Sequence, residues 1–165
     1  MILAVMSDSH DHIDNLRWAV AESRAAGCGM ILHCGDFVAP FMLAELDTAG
    51  IPVHGVFGNN DGDQYLMTWN ALTRHQHITL HGQVGQLTAD GCRIAFLHDG
   101  SLAEDIAAGG RFDLICFGHI HVYVEKKVGD TLVLNPGEVM GKEGPPGFCL
   151  VDTATMTVTR VIRDA

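Results

Sequence analysis

Positive charge is scarce in this sequence: ten Lys and Arg stand against twenty Asp and Glu in 165 residues, a formal net charge of −10. No basic tract is present. Since phosphate backbones are held mainly by Lys and Arg, this argues against nonspecific nucleic-acid binding. A disulfide framework is also missing. Cys28, Cys34, Cys92, Cys116 and Cys149 are odd in number, with no Cys-x-x-Cys pair and therefore no structural zinc pattern; they read as buried thiols in a reducing compartment. No apolar run approaches the roughly 20 residues that span a bilayer. Residues 1–6 are apolar but have no basic flank before Ser7-Asp8, so they read as a strand and not a signal peptide. A cytoplasmic protein with no membrane contact is expected. With 47% hydrophobic residues and no linker or low-complexity tract, residues 1–165 are expected to form one domain.

What the chain does have is a repeated pairing of apolar runs with metal-binding side chains. Residues 2–6 run into Asp8 and His10, and 30–32 into Gly35-Asp36. Residues 53–57 lead to Gly58-Asn59-Asn60-Asp61, 93–97 to His98-Asp99, and 114–117 to Gly118-His119-Ile120-His121. In α/β proteins, ligands collect at the carboxyl ends of strands. Asp8, His10, Asp36, Asn59, His98, His119 and His121 are therefore candidate metal ligands. Imidazole together with carboxylate and amide oxygens suits Mn, Fe, Zn or Ni. Seven donors are too many for one tetrahedral ion and suit two metals sharing a carboxylate, an arrangement that serves phosphatases, nucleases and aminopeptidases. The acidic balance is compatible with phosphate chemistry, because bound cations set the local sign.

The first half alternates strand and helix patterns: strand 2–7, helix 13–26, strand 30–34, a helix from about Pro40 with Phe41, Leu43, Ala44 and Leu46 available for burial, strand 52–57, and a short helix near 63–72. This alternation implies right-handed crossovers and a mainly parallel sheet. The second half is mostly β. Short strands over 77–97 are broken by Gly82, Gly85 and Ala89-Asp90-Gly91, and a helix near 101–109 precedes strand 113–117. Strands follow at 122–128, 131–134, 147–152 and 156–163, with a Gly- and Pro-rich loop at 137–147. Two packed mixed sheets with outer helices are expected. Trp18 and Trp69 read as packing residues, His12, His33 and His54 as packed or supporting side chains, and His75, His77 and His81 as surface. Asp61 reads as a helix cap or an orienter of a histidine.

The order Asp8-x-His10, Gly35-Asp36, Gly58-Asn59-x-Asp61, His98, Gly118-His119-x-His121 resembles the calcineurin-like metallophosphoesterases, in particular their small single-domain bacterial and archaeal phosphodiesterases. The resemblance runs from residue 3 to about 138. It implies a four-layer α/β/β/α sandwich and a dinuclear centre, with manganese as the expected metal and Fe, Zn or Ni as alternatives. Asp8, His10, Asp36 and His121 would hold one ion, and Asp36, Asn59, His98 and His119 the other. A metal-bridging hydroxide would then attack a small phosphodiester in line. Alternatives are a phosphomonoesterase, a nucleotide pyrophosphohydrolase, or a non-catalytic interaction scaffold of the same fold. A homo-oligomer is compatible with the sequence. Two positions depart from the family pattern. Asn60 stands where many members place a proton-donating His; its amide is expected to donate to a phosphoryl oxygen, which makes Asn60 and Asp36 the catalytic candidates and favours good leaving groups. Glu138 follows Asn135-Pro136-Gly137 where Ser is common.

Overall fold

The computed structural model describes residues 1–164. β1 (Ile2–Met6), α1 (Ile13–Ala25), β2 (Met30–His33), α2 (Met42–Asp47), β3 (Val53–Gly55), α3 (Gln64–Thr73) and β4 (Ile78–Leu80) form the alternating half, with the four strands parallel. β5 (Val84–Ala89) and β6 (Cys92–Leu97) make a hairpin, a 3-10 turn at Gly100–Leu102 leads into α4 (Ala103–Ala108), and β7 (Leu114–Cys116) lies parallel to β6. The chain ends with β8 (Tyr123–Val128), β9 (Thr131–Pro136), β10 (Gly147–Asp152) and β11 (Thr157–Ile162). Six strands form one sheet in the order β11-β10-β1-β2-β3-β4, and five form a second in the order β5-β6-β7-β9-β8.

Alternation along β1 explains the layers, because successive side chains face opposite sides of a sheet. Leu3 and Val5 meet Leu32, Val56, Phe96 and Leu134 between the sheets. Ala4 and Met6 face outward, where Leu16 of α1, Met42 of α2 and Met67 of α3 cover them. On the far side, Ala103 and Ala107 of α4 pack over Ala95, Ile115 and Val133. The result is a four-layer sandwich of two mixed sheets flanked by helices. Register then fixes the working edge. Met6 pairs with His33 and His33 with Gly55, while Phe96 pairs with Cys116 and Cys116 with Leu134. The strand ends are therefore level within each sheet.

Several sequence expectations are corrected by packing. α2 begins at Met42, not at Pro40, and Phe41 and Ala44 face solvent while Met42, Leu43 and Leu46 are buried. Gly85 does not interrupt a strand but lies inside β5, where a Cβ would meet the Phe96 ring at 2.1 Å. Trp18 packs edge-on against Phe148, but Trp69 is exposed because α3 buries Met67, Asn70 and Ala71 instead. The three supposed surface histidines all have partners. His75 and His77 flank Asp47 at 3.5 and 3.0 Å, and His81 Nε2 lies 2.8 Å from His54 Nδ1.

Burial lowers both His54 and His81 below the ordinary histidine range, with the charge of His81 adding to the effect on His54. The folded pair thus resists protons that the unfolded chain accepts, and their contribution to stability is lost as pH falls below about 6.5. His81→Gln removes one of these groups. Between pH 7 and 5 its urea midpoint should fall less steeply than that of the wild type, the difference being at most about 1.4 kcal/mol per pH unit. Parallel slopes would disprove the assignment.

Candidate metal centre

The loops leaving β1, β2 and β7 adopt a backbone that side chains seldom take. φ is +54° at Asp8, +40° at His10, +58° at Asp36, +72° at His119 and +58° at His121. Asp and His tolerate this region better than most residues, yet it persists only where surroundings enforce it. Hydrogen bonds between loops provide that enforcement. Asp8 N donates to Gly35 O at 3.1 Å, His10 N to Asp36 O at 3.0 Å, and Gly118 N to His98 O at 3.1 Å. Two glycines permit the close approach: a Cβ on Gly58 would lie 2.2 Å from Asp36 Oδ1, and one on Gly118 would lie 2.0 Å from Ser7 Oγ.

These loops bring the predicted side chains from both sheets to one place. Asp36 Oδ2 lies 3.3 Å from His10 Nε2 and 3.3 Å from His98 Nε2. Asp8 Oδ1 is 3.2 Å from His121 Nε2 and 3.7 Å from His10 Nε2. Asp8, His10 and His121 form one group of donors able to hold an ion, and Asp8, Asp36 and His98 form another. Asn59 Oδ1 reaches His98 Nε2 at 2.9 Å. His119 is exposed, its ring edge-on to that of His98 with centroids 5.1 Å apart, and its side chain belongs to neither group.

The donor set fits a divalent cation. Ligands bound at about 2.1 Å in tetrahedral or octahedral array stand roughly 3.0–3.4 Å from one another, which is the spacing of most of these contacts. Asp8 Oδ1 and His10 Nε2 are buried with no hydrogen-bond partner, a costly condition that an ion would relieve. Burial works against the charge of Asp36, yet His98 and Asn60 hold its carboxyl well below the ordinary range. Asp8 is likewise lowered, burial being outweighed by His10 and Ser7. His98 Nδ1 meets the Cys34 carbonyl at 2.8 Å, which assigns the proton to Nδ1 and leaves Nε2 as the donor to a metal. Cys34 thus serves the site through its backbone, its thiol being buried in the core.

Two supporting residues, Asn60 and Asp61, act differently from expectation, and a third, Glu138, has a place the sequence left open. Asn60 does not point outward: its amide donates to Asp36 Oδ2 at 2.7 Å and its backbone N to Oδ1 at 2.8 Å. Asp61 neither caps α3, a role Asp63 fills through Leu66 N, nor orients a histidine. It accepts from Gly58 N, Val38 N and Asp36 N at 2.6, 2.8 and 3.2 Å, tying the loop after β2 to the loop after β3. Glu138 faces the site. Its Oε2 lies 2.7 Å from His121 Nδ1, off the axis of an aligned hydrogen bond, while Oε1 accepts from Glu143 N and Gly144 N. For Asn60 and Glu138 the sequence offered a signal in their departure from the family pattern; for Asp61 it offered none.

Clustered imidazoles and carboxylates at the strand ends of a two-sheet sandwich define a metal-dependent hydrolytic centre. The sequence profile of the calcineurin-like phosphoesterase superfamily domain matches residues 1–156, and the chain belongs to that superfamily. It is 32% identical over 155 residues to phosphodiesterase MJ0936 of Methanocaldococcus jannaschii, with 93% of each chain covered. Over 147 residues it is 31% identical to the probable metallophosphoesterase YsnB of Bacillus subtilis, covering 84% of this chain and 75% of that one. The fold superposes on a solved archaeal phosphodiesterase with a TM-score of 0.91 at 28% identity, covering 99% of this chain and 100% of the other. The chain is accordingly a phosphoric ester hydrolase.

Asp61→Ala should leave three backbone donors without an acceptor, two of them buried, and at about 1–3 kcal/mol per buried unsatisfied group it should lower urea-unfolding stability by at least about 2 kcal/mol. Asp61→Asn, which keeps one oxygen, should lose less; a wild-type midpoint for the alanine variant would refute the anchoring role. Removing the carboxylate behind a metal-binding His typically weakens metal binding about 10–100-fold. Calorimetric metal titration of Glu138→Gln, which keeps an oxygen for Glu143 N and Gly144 N, should show a loss of that order with thermal unfolding of the metal-free protein close to that of the wild type.

Proposed function

We propose that the chain is a phosphodiesterase acting on small diesters through two divalent cations that share Asp36. The observation that carries this reading is the position of Asp36 Oδ2, equidistant from His10 and His98 at 3.3 Å. Asp8, His10, Asp36 and His121 would hold one ion, and Asp36, Asn59, His98 and His119 the other. Manganese suits imidazole mixed with carboxylate and amide oxygens and no thiolate. Bound cations supply an activated water and positive charge for the phosphoryl oxygens.

The chain's own residues set the terms for that chemistry. Asp8 and Asp36 stay ionised despite burial, His98 directs Nδ1 at the Cys34 carbonyl, and Glu138 lies beside His121 Nδ1. Asn60 is assigned as a positioning residue, since its amide braces Asp36. It has no proton to give a departing alkoxide, so esters with good leaving groups are favoured.

Metal-stripped protein reloaded with Mn, Fe, Zn or Ni should hydrolyse an aryl phosphodiester faster than an aryl phosphomonoester. No turnover with any metal would overturn the reading. Asn60→Ala should weaken metal binding and lower kcat for aryl and alkyl diesters by the same factor, about tenfold for loss of a charge-assisted hydrogen bond. A loss confined to alkyl esters would instead assign Asn60 to the leaving group.

A further inference from the structure

Beside the metal centre lies a second cavity that the chemistry above does not use. It has a volume of about 340 Å³, with a floor formed by Ala103, Phe117, Val124 and Val133 and a lip formed by Asp99 and Ile120. Asp99 also lines the cavity that contains Asn59, His98 and His119, so the two spaces meet at that residue. Both lip residues follow metal-ligand candidates directly in the chain, Asp99 after His98 and Ile120 after His119. The floor is part of the apolar cluster beneath α4, and Gly100 lies so close against the Phe117 ring that a Cβ would meet it at 2.1 Å.

The character of the pocket selects its occupant. The one cation at its edge, Lys126, is engaged by Glu104, and the lip carries the negative charge of Asp99. A second phosphate or a polyphosphate tail would find no free positive partner there. A neutral ring would find an apolar floor within a volume at the lower end of the roughly 300–1,000 Å³ of small-molecule sites. In an in-line displacement the leaving oxygen departs opposite the attacking one, away from the buried carboxylates and out to solvent. The pocket adjoins the centre at Asp99, next to His98 in the chain, so a group that stays on phosphorus can occupy it while the leaving group departs.

We propose that this pocket binds the retained ester group of the substrate and selects an aromatic one. The proposal rests on the phosphodiesterase reading for its substrate class. It distinguishes recognition of the retained group from the leaving-group preference argued from Asn60.

The test uses metal-reloaded protein with phenylphosphonate and methylphosphonate, which share a charged head and differ in the organic group. Calorimetry should give about tenfold tighter binding of phenylphosphonate, as expected for burying part of one ring. Methyl resonances of Ile120, Val124 and Val133 should move with the phenyl compound alone. Val124→Trp and Ser101→Trp, which fill the pocket from two different walls, should abolish the preference and leave methylphosphonate binding within about twofold. For 4-nitrophenyl phenylphosphonate and 4-nitrophenyl methylphosphonate, which share a leaving group, the variants should raise KM for the phenyl ester only. Equal binding of the two phosphonates by the wild type, or a phenyl preference surviving in both variants, overturns the proposal. Turnover of both 4-nitrophenyl phosphonates without a phenyl preference defeats the pocket alone. A phenyl preference with no turnover by any metal form upholds the pocket and defeats the diesterase reading.

Discussion

Two carboxylates held ionised at the rim of an apolar core are the constraint on which this structure turns. Asp8 is wholly buried and Asp36 is 1% exposed. A charge taken out of water is expensive unless it is paired and hydrogen-bonded, and an unsupported carboxylate would simply protonate. Here each carboxylate is surrounded by groups drawn from distant parts of the chain: both nitrogens of Asn60 donate to Asp36, with His10 and His98 beside it, and the backbone N of His119 donates to Asp8, with His10 and His121 beside it. The unusual backbone at five predicted ligands and the bare glycines at 58 and 118 follow from this requirement, since only tightly apposed loops bring those donors within reach. Asp61 extends the pattern one layer out. Burial raises its pKa, backbone N–H groups of Gly58 and Val38 oppose the rise, and the charge of Asp36 adds to it. A third carboxylate is therefore committed to the loop that carries the second.

This concentration of negative charge also defines how a phosphate can be bound. No Lys or Arg lines the cavity of Asn59, His98 and His119 among the described residues. A phosphodiester approaching bare carboxylates would be repelled, so its affinity must come from cations bound by those carboxylates. Metal and substrate binding are coupled in such a site, and the protein's acidity becomes a means of holding cations. Protons compete for the same donors. Asp8 raises the pKa of His10 against burial, and Asp36 raises that of His98, so metal affinity weakens as pH falls through the histidine range.

The strand ends were legible in the sequence because each couples two independent signals, an apolar run and a polar turn bearing metal-binding side chains. The sheet pairing that levels those ends follows from the same runs. The roles of Asn60, Asp61 and Glu138 were not legible, because each depends on where a loop turns back, and a residue type does not encode that direction. Asn60 could equally have faced solvent; the loop after β3 turns it inward onto Asp36. Misjudged packing has the same origin. On short helices such as α2 and α3, the sequence period does not decide which face the sheet covers, so Phe41 and Trp69 were assigned inward and lie outward.

The position of Asn60 links structural need to substrate scope. A buried carboxylate shared between two imidazoles gains from a donor that is always protonated and never charged, and an amide meets both conditions at any ordinary pH. A histidine there would add a proton for the leaving group, but its charge would vary with pH beside groups that must bind cations. In the proposed reading the chain forgoes a proton donor in exchange for a permanent brace on Asp36. Discrimination among substrates then falls to what lies beside the metals, where an apolar pocket adjoins a centre lined mainly by polar groups. Such a pocket contributes binding energy without titrating, so it can select an ester at any pH at which the metals remain bound.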